Sequence, residues 1–233
     1  MQDWLDESCV VFSLPTPTDR DSEYRVAGVA AALRTCQIGP MGHIVMIGPV
    51  GVGKSTVAPL VAERLGRAVV DVDEARWLYY AEEGYDNDVA MTILARDGVL
   101  ALCEHWKPFE IKAVECLVAD NVDAVLDFGA GHAHYDGHDE FLQRAVRVLA
   151  PHHVVLLLPS SDVQQSQQML VEREPPEHRE MTRMLNEQFV SSVSFRHLAD
   201  ATVFTAGRTP EAVASSIVDS WIALTSPSAR TSG

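Results

Sequence analysis

One short run restricts this chain more than any other feature. Gly48-Pro49-Val50-Gly51-Val52-Gly53-Lys54-Ser55 has the form G-x-x-x-x-G-K-S/T. Glycines at that spacing let a backbone curl round an anion with its N–H groups inward. A helix that starts at the Lys aims its positive end at the same point. The flanks supply the context that the pattern requires. His43 to Ile47 is a short apolar, β-branched run with the character of a buried parallel strand. Val57, Leu60, Val61 and Leu65 mark one face of a helix from Ser55 to Leu65, which Gly66 closes. The loop is therefore expected to bind ATP or GTP with Mg²⁺ through Gly48, Gly51, Val52 and Gly53. Lys54 would neutralise the β- and γ-phosphates, the Ser55 hydroxyl would ligate the metal, and Thr56 would reach the α-phosphate.

Four further strands follow from the pattern: Ala68–Val72, Val122–Phe128, His153–Leu158 and Ala201–Thr205. Between them the chain is helical. Residues 74–120 form one such stretch, broken near Gly84 and Asp97-Gly98, and 139–149 form another. A helix from Asp162 to Arg173 is stopped by Pro175-Pro176, and helical spacing resumes from about Arg179 to Leu198. Thr209 as N-cap and Pro210 at the first position open a last helix. The predicted architecture is α/β: a three-layer P-loop NTPase sandwich round a parallel five-stranded sheet, occupying residues 43–224. Residues 159–198 are read as a helical lid. Residues 1–42 are read as an extension with a helix over 22–36, packed on the domain or on the second subunit of a homodimer. The polar tail 225–233 has no core residues and is expected to be disordered.

Composition narrows the partners. The 233 residues carry a formal net charge of −15, and only three of the 18 basic side chains are Lys. With no basic cluster, nucleic acid and anionic membrane surfaces are disfavoured. Cys9, Cys36, Cys103 and Cys116 lack C-x-x-C spacing and read as reduced, buried thiols of a cytoplasmic protein. The acidic start (Asp3, Asp6, Glu7) is not a signal peptide, and no apolar run reaches the length of a membrane span.

Beyond the phosphates, Asp71 and Asp73 close the second strand. Two residues apart on an extended chain they share a face at its carboxyl end, where ligands of α/β sheets sit. Asp71 is a candidate for the metal shell and Asp73 for orienting or deprotonating an acceptor hydroxyl. The alternative is a pair of acids capping the next helix. Asp127 ends an apolar strand as a metal-holding acid does. Gly129, Ala130, Gly131 and His132 follow it and are candidates for the acceptor pocket. His134, Asp136 and His138 do not match a common metal site and are read as bordering that pocket. Arg173 and Arg179, with Arg183, lie where a cover would close on the triphosphate, and the first two are candidate catalytic groups.

The stretch from Ile47 through Thr56, followed by a helix and Val70-Asp71-Val72-Asp73, resembles shikimate kinase and its relatives among the nucleoside-monophosphate-kinase-like P-loop kinases. Gly129-Ala130-Gly131 falls where that family has a triple glycine. Leu198-Ala199-Asp200-Ala201-Thr202-Val203 is similar to the entry to its last strand. Ala206-Gly207-Arg208-Thr209-Pro210 is similar to its loop against adenine, which puts Arg208 and Pro210 in the nucleotide site. The resemblance covers about residues 43–222 and implies transfer of the ATP γ-phosphoryl group to a hydroxyl of a small metabolite. The departures concern the acceptor. Ser191 stands near the place of the arginine that grips shikimate, Ala130 interrupts the glycines, and Arg96 or Lys107 matches a second acceptor arginine poorly. The aromatics Trp77, Tyr79, Tyr80, Tyr85, Trp106 and Phe109 suit a larger or less charged acceptor, such as a cyclitol, sugar, nucleoside or natural product. A P-loop protein that binds nucleotide for regulation or scaffolding, without transfer, is the other reading.

Overall fold

The computed structural model describes residues 41–225. The predicted N-terminal helix and the polar tail beyond Thr225 lie outside them. Five parallel strands form one sheet in the order β2-β3-β1-β4-β5. They are β1 (Ile44–Ile47), β2 (Val69–Asp71), β3 (Val125–Asp127), β4 (His153–Leu158) and β5 (Ala201–Phe204). Strands joined only by helical crossovers must run parallel and bury both faces. β1, β3 and β4 are accordingly buried along their whole length.

Side-chain alternation along β1 divides the core. Ile44 and Met46 face α1 (Lys54–Leu65) and α9 (Pro210–Thr225). Val45 and Ile47 face the opposite layer, built round α4 (Val99–Asp120). Packed with α4 are α2 (Val72–Glu82), α3 (Asn87–Asp97) and α5 (Asp139–Leu149). α6 (Val163–Arg173) and α7 (Arg179–Phe189) follow β4, and α8 (Val193–Leu198) precedes β5. The layers are those of the expected P-loop sandwich. Among the described residues no helix is long and apolar enough to cross a membrane.

Among the boundaries that differ from the expectation, three have a local reason. β2 stops at Asp71, because the Asp71 carboxylate accepts from the Glu74 N–H at 3.1 Å and caps α2. Asp73 therefore stands in the first turn of a helix, and the two acids do not share an extended face. β3 starts at Val125, since α4 runs on to Asp120 and Asp123 takes a left-handed φ of 48°. The Asp123 carboxylate accepts there from the Gly42 N–H at 2.6 Å. The helical stretch 179–198 is two helices, because the Ser192 hydroxyl accepts from the Phe195 N–H and starts α8 afresh.

Candidate active site

β1 delivers the chain to the glycine loop at the carboxyl edge of the sheet. Gly48 lies so close to the Leu157 carbonyl of β4 that any Cβ would collide with it. Lys54 opens α1 and folds back over the loop. Its ammonium donates to the carbonyls of Gly48 at 3.0 Å and Pro49 at 3.1 Å. Burial pulls its pKa below the ordinary lysine value, against the opposing field of Asp127, Asp73 and Asp71. Neutral carbonyls are weak partners for a buried ammonium, and charged phosphate oxygens would be stronger ones. Ser55 and Thr56 follow in the first turn, both exposed.

Asp127 at the end of β3 pairs in register with Asp71 at the end of β2 and with Met46 of β1. It is buried, and its Oδ1 has no hydrogen-bond partner. Burial raises its pKa, while the Lys54 charge and a hydrogen bond with the Ser55 side chain pull it back. A carboxylate with one oxygen open, beside the hydroxyl of a P-loop serine, offers the oxygen donors that Mg²⁺ takes and leaves the remaining positions to water and phosphate. Asp71 stands one strand further out. Burial raises its pKa too, opposed by the Glu74 N–H that it caps, so it suits a metal-bound water better than the ion itself.

Asp73 stands in the first turn of α2, tethered by its neighbours. Its Oδ1 takes an ion pair from Arg76 Nη1 at 3.2 Å, one helical turn on, and lies 3.9 Å from His132 Nδ1. Its side chain remains 56% exposed, so the carboxylate faces solvent while one oxygen is tethered. Arg76 is held rigidly in turn. Its guanidinium carbon lies 4.5 Å from the Trp77 ring centre and 4.9 Å from that of Trp106. Burial would lower the Arg76 pKa, but Asp73, Tyr80 and Glu110 outweigh it and raise it. The aromatics between α2, α3 and α4 thus form one cluster of tilted and edge-on rings that clamps this arginine. Tyr79, Tyr80 and Trp106 are buried, which makes them core and not an open acceptor wall.

Gly129 and Gly131 make room for two carboxylates. A Cβ on Gly129 would fall onto the Asp73 carboxylate, and one on Gly131 onto Glu110. Glu110 forms a fully buried ion pair with Lys107 at 2.8 Å, and Lys107 also donates to the Gly131 carbonyl at 3.3 Å. Ala130 between them is buried. His132 is completely buried with neither ring nitrogen hydrogen-bonded, and burial holds its pKa down at about 4. The rest of the loop serves the fold. Asp136 accepts from the N–H groups of Val193 and Ser194 at the start of α8. His134 bonds Ser192, and His138 bonds Glu104 at 2.8 Å. Of the four loop residues read as bordering a pocket, His132 alone stands beside Asp73. Among the described residues no His/Cys/Asp/Glu group fits a metal ion of its own.

The predicted arginines are placed outside this cluster. Arg173 is exposed at the end of α6, and Arg179 donates to the Glu174 carbonyl at 3.0 Å. Arg183 pairs with Glu180. Arg208 stitches β5 to α9 by donating to the Phe204 carbonyl and to Ser216 Oγ, and Pro210 starts α9. Arg76 and Glu110 were missed. Once Asp73 is known to be helical, the spacing of three to Arg76 is the signal, since such pairs meet on a helix face.

A profile of the shikimate kinase family matches residues 50–221. The chain belongs to the shikimate kinase family. It is 34% identical over 181 residues to the shikimate kinase of Streptomyces avermitilis, covering 76% of this chain and 94% of that protein. A stretch of 68 residues is 46% identical to the Streptomyces coelicolor shikimate kinase, covering 27% of this chain and 40% of that one. The structure of the Acinetobacter baumannii shikimate kinase in complex with shikimate matches with a TM-score of 0.50 and 19% identity, over 79% of this chain and 94% of that chain. This last match shows a common fold. As a member of the shikimate kinase family the chain is a P-loop phosphotransferase with an alcohol acceptor, an ATP-dependent small-molecule kinase.

Proposed function

We propose that the protein transfers the γ-phosphoryl group of ATP to a hydroxyl of an uncharged or weakly charged polyhydroxylated metabolite, with Asp73 orienting that hydroxyl and accepting its proton. The observation that carries this is the Asp73 carboxylate, tethered on one oxygen by Arg76, open to solvent, and close enough to Lys54 for the two charges to interact. Lys54 leaves its two loop carbonyls for the β- and γ-phosphates and stabilises the charge that develops on transfer. Ser55 and Asp127, with Asp71 behind them, would hold Mg²⁺, which bridges the phosphates and neutralises part of their charge. Arg173 and Arg179 flank Pro175-Pro176 on the stretch 159–198, and we read that turn as the cover that excludes water.

The acceptor class follows from how the local cations are used. Arg76 is bound to Asp73 and Lys107 to Glu110. Ser191, near the place of a carboxylate-gripping arginine, donates its hydroxyl to the Glu187 carbonyl. A carboxylated acceptor would meet Asp73 without a spare cation beside it. Labelled ATP with shikimate, uncharged cyclitols, sugars, nucleosides and aminoglycosides tests both levels. Transfer to an uncharged or weakly charged acceptor, lost in Asp73→Asn with ATP affinity kept, is the expected result. Shikimate as the best acceptor would overturn the acceptor class. Transfer to nothing in the panel would count against the phosphotransfer reading.

A further inference from the structure

A phosphate-binding loop has an unusual backbone problem. Its inward N–H groups are reserved for the ligand, so its outward groups need partners that neither helix nor sheet provides. The carbonyls of Gly48 and Pro49 accept from Lys54, the group that is to move to the phosphates. The next residue, Val50, is served from the other end of the chain. Its N–H donates to Asn186 Oδ1 at 3.0 Å, and Asn186 Nδ2 donates back to the Val50 carbonyl at 3.0 Å. A side-chain amide carries one donor and one acceptor at the spacing of a peptide group, so it can satisfy both groups of one residue, as a neighbouring strand would. Asn186 is fully buried on α7 and seated by Leu185 and Phe189 of the same helix, both in the core. The contact continues on the next loop residue. Gly51 is so close to the Glu174 carboxylate, with Leu170 behind it, that a Cβ there would meet both.

We propose that Asn186 is a positioning residue for the nucleotide: it holds the phosphate loop at Val50–Gly51 in its binding shape before the ligand arrives, and it ties α7 to the loop. The proposal rests on the nucleotide-binding reading above. Its physical basis is preorganisation. A loop fixed in advance loses no conformational freedom on binding, and one that must be ordered by the ligand binds more weakly. No other amide or hydroxyl is bonded to Val50 among the described residues. It follows that α7 stays with the loop, and that any cover motion is confined to the turn between α6 and α7, which Arg173 and Arg179 flank.

Three variants and one measurement on the wild type test this. Asn186→Leu removes both hydrogen bonds while keeping the same branching and number of side-chain heavy atoms. Asn186→Asp keeps an acceptor for the Val50 N–H and loses the donor. Thr182→Val, one turn earlier on α7 and equally buried, perturbs the helix without touching the loop. Affinity for Mg·ADP and Mg·ATP by calorimetry should fall at least tenfold in both Asn186 variants and less than threefold in Thr182→Val, even where melting temperatures drop alike. A purely structural role would not produce that separation. In the wild type without nucleotide, the Val50 amide should exchange slowly with solvent. Asn186 variants that bind Mg·ADP within threefold of the wild type overturn the proposal, as does rapid exchange at Val50. Should Asn186→Leu fail to fold, Asn186→Asp and the exchange measurement still decide. Absence of nucleotide binding in the wild type would overturn the nucleotide reading instead, with Val50 exchange still judging the contact.

Discussion

Gly129 has φ −57° and ψ 151°, a conformation that alanine adopts without strain. Gly129→Ala therefore acts only through the methyl group it adds, which would fall on all three atoms of the Asp73 carboxylate. Because that side chain is 56% exposed, it can turn into solvent, and the fold should lose only about 1–3 kcal/mol, as for ordinary overpacking. The chemistry should lose far more. A shift of about 1 Å in a reacting group costs about 10²-fold, and loss of a general base about 10²–10⁴-fold. kcat is expected to fall by about 10²–10⁴ with Mg·ATP affinity unchanged. Gly131→Ala is the internal contrast. Its Cβ meets Glu110, whose side chain is 2% exposed and paired with Lys107. That carboxylate has nowhere to go, so the damage should appear as stability, about 3–5 kcal/mol if the buried pair is broken. Turnover with the acceptor found by the panel, calorimetric Mg·ATP titration and urea midpoints separate the two variants. A Gly129→Ala enzyme with kcat within threefold of the wild type would refute this placement of Asp73, and a Gly131→Ala protein of wild-type stability would refute that of Glu110.

Lys54→Ala should remove about 1.5–3 kcal/mol of nucleotide binding and more from the transition state, with the melting curve largely kept; calorimetry and turnover check this. Glu110→Ala should destabilise by about 3–5 kcal/mol by stranding Lys107, whereas Lys107→Met with Glu110→Leu should recover most of it, read from urea midpoints. Acid should loosen the amino end of the sheet. His43 Nδ1 accepts from the Ala124 N–H, and His152 Nδ1 accepts from the His43 N–H. Both bonds need neutral rings. Burial lowers the pKa of both, that of His152 to about 4, with the neighbouring His43 adding to the effect and Asp123 opposing it. The unfolded chain, titrating near 6.5, binds these protons first, so this stability is full above about pH 6.5 and is lost as pH falls toward 4. His152→Asn should flatten the slope of stability against pH in that window by up to one proton, measured by urea melts from pH 7 to 4.

Local sequence was enough for the glycine loop and the helix that follows it. The helix that follows the glycines starts at Lys54, as that run of eight residues predicts, and Lys54 folds back on the loop. The five strands and most helix limits were legible for a similar reason. Alternation and 3.6-residue spacing are properties of short windows, and α5 and β4 fall where the pattern puts them, at Asp139–Leu149 and His153–Leu158. The surroundings of Asp73 were not local. Whether Asp73 continued a strand or began a helix turned on one capping bond at Asp71, and that choice decided whether its partner was Asp71 or Arg76. Glycines 129 and 131 could be seen in the sequence, but not the carboxylates they admit, which come from α2 and α4. Asn186 sits 136 residues from the loop residue it holds. A hydrogen bond between distant segments has no periodicity to read, because it depends on where packing brings two helices and a loop, and only the tertiary structure decides that.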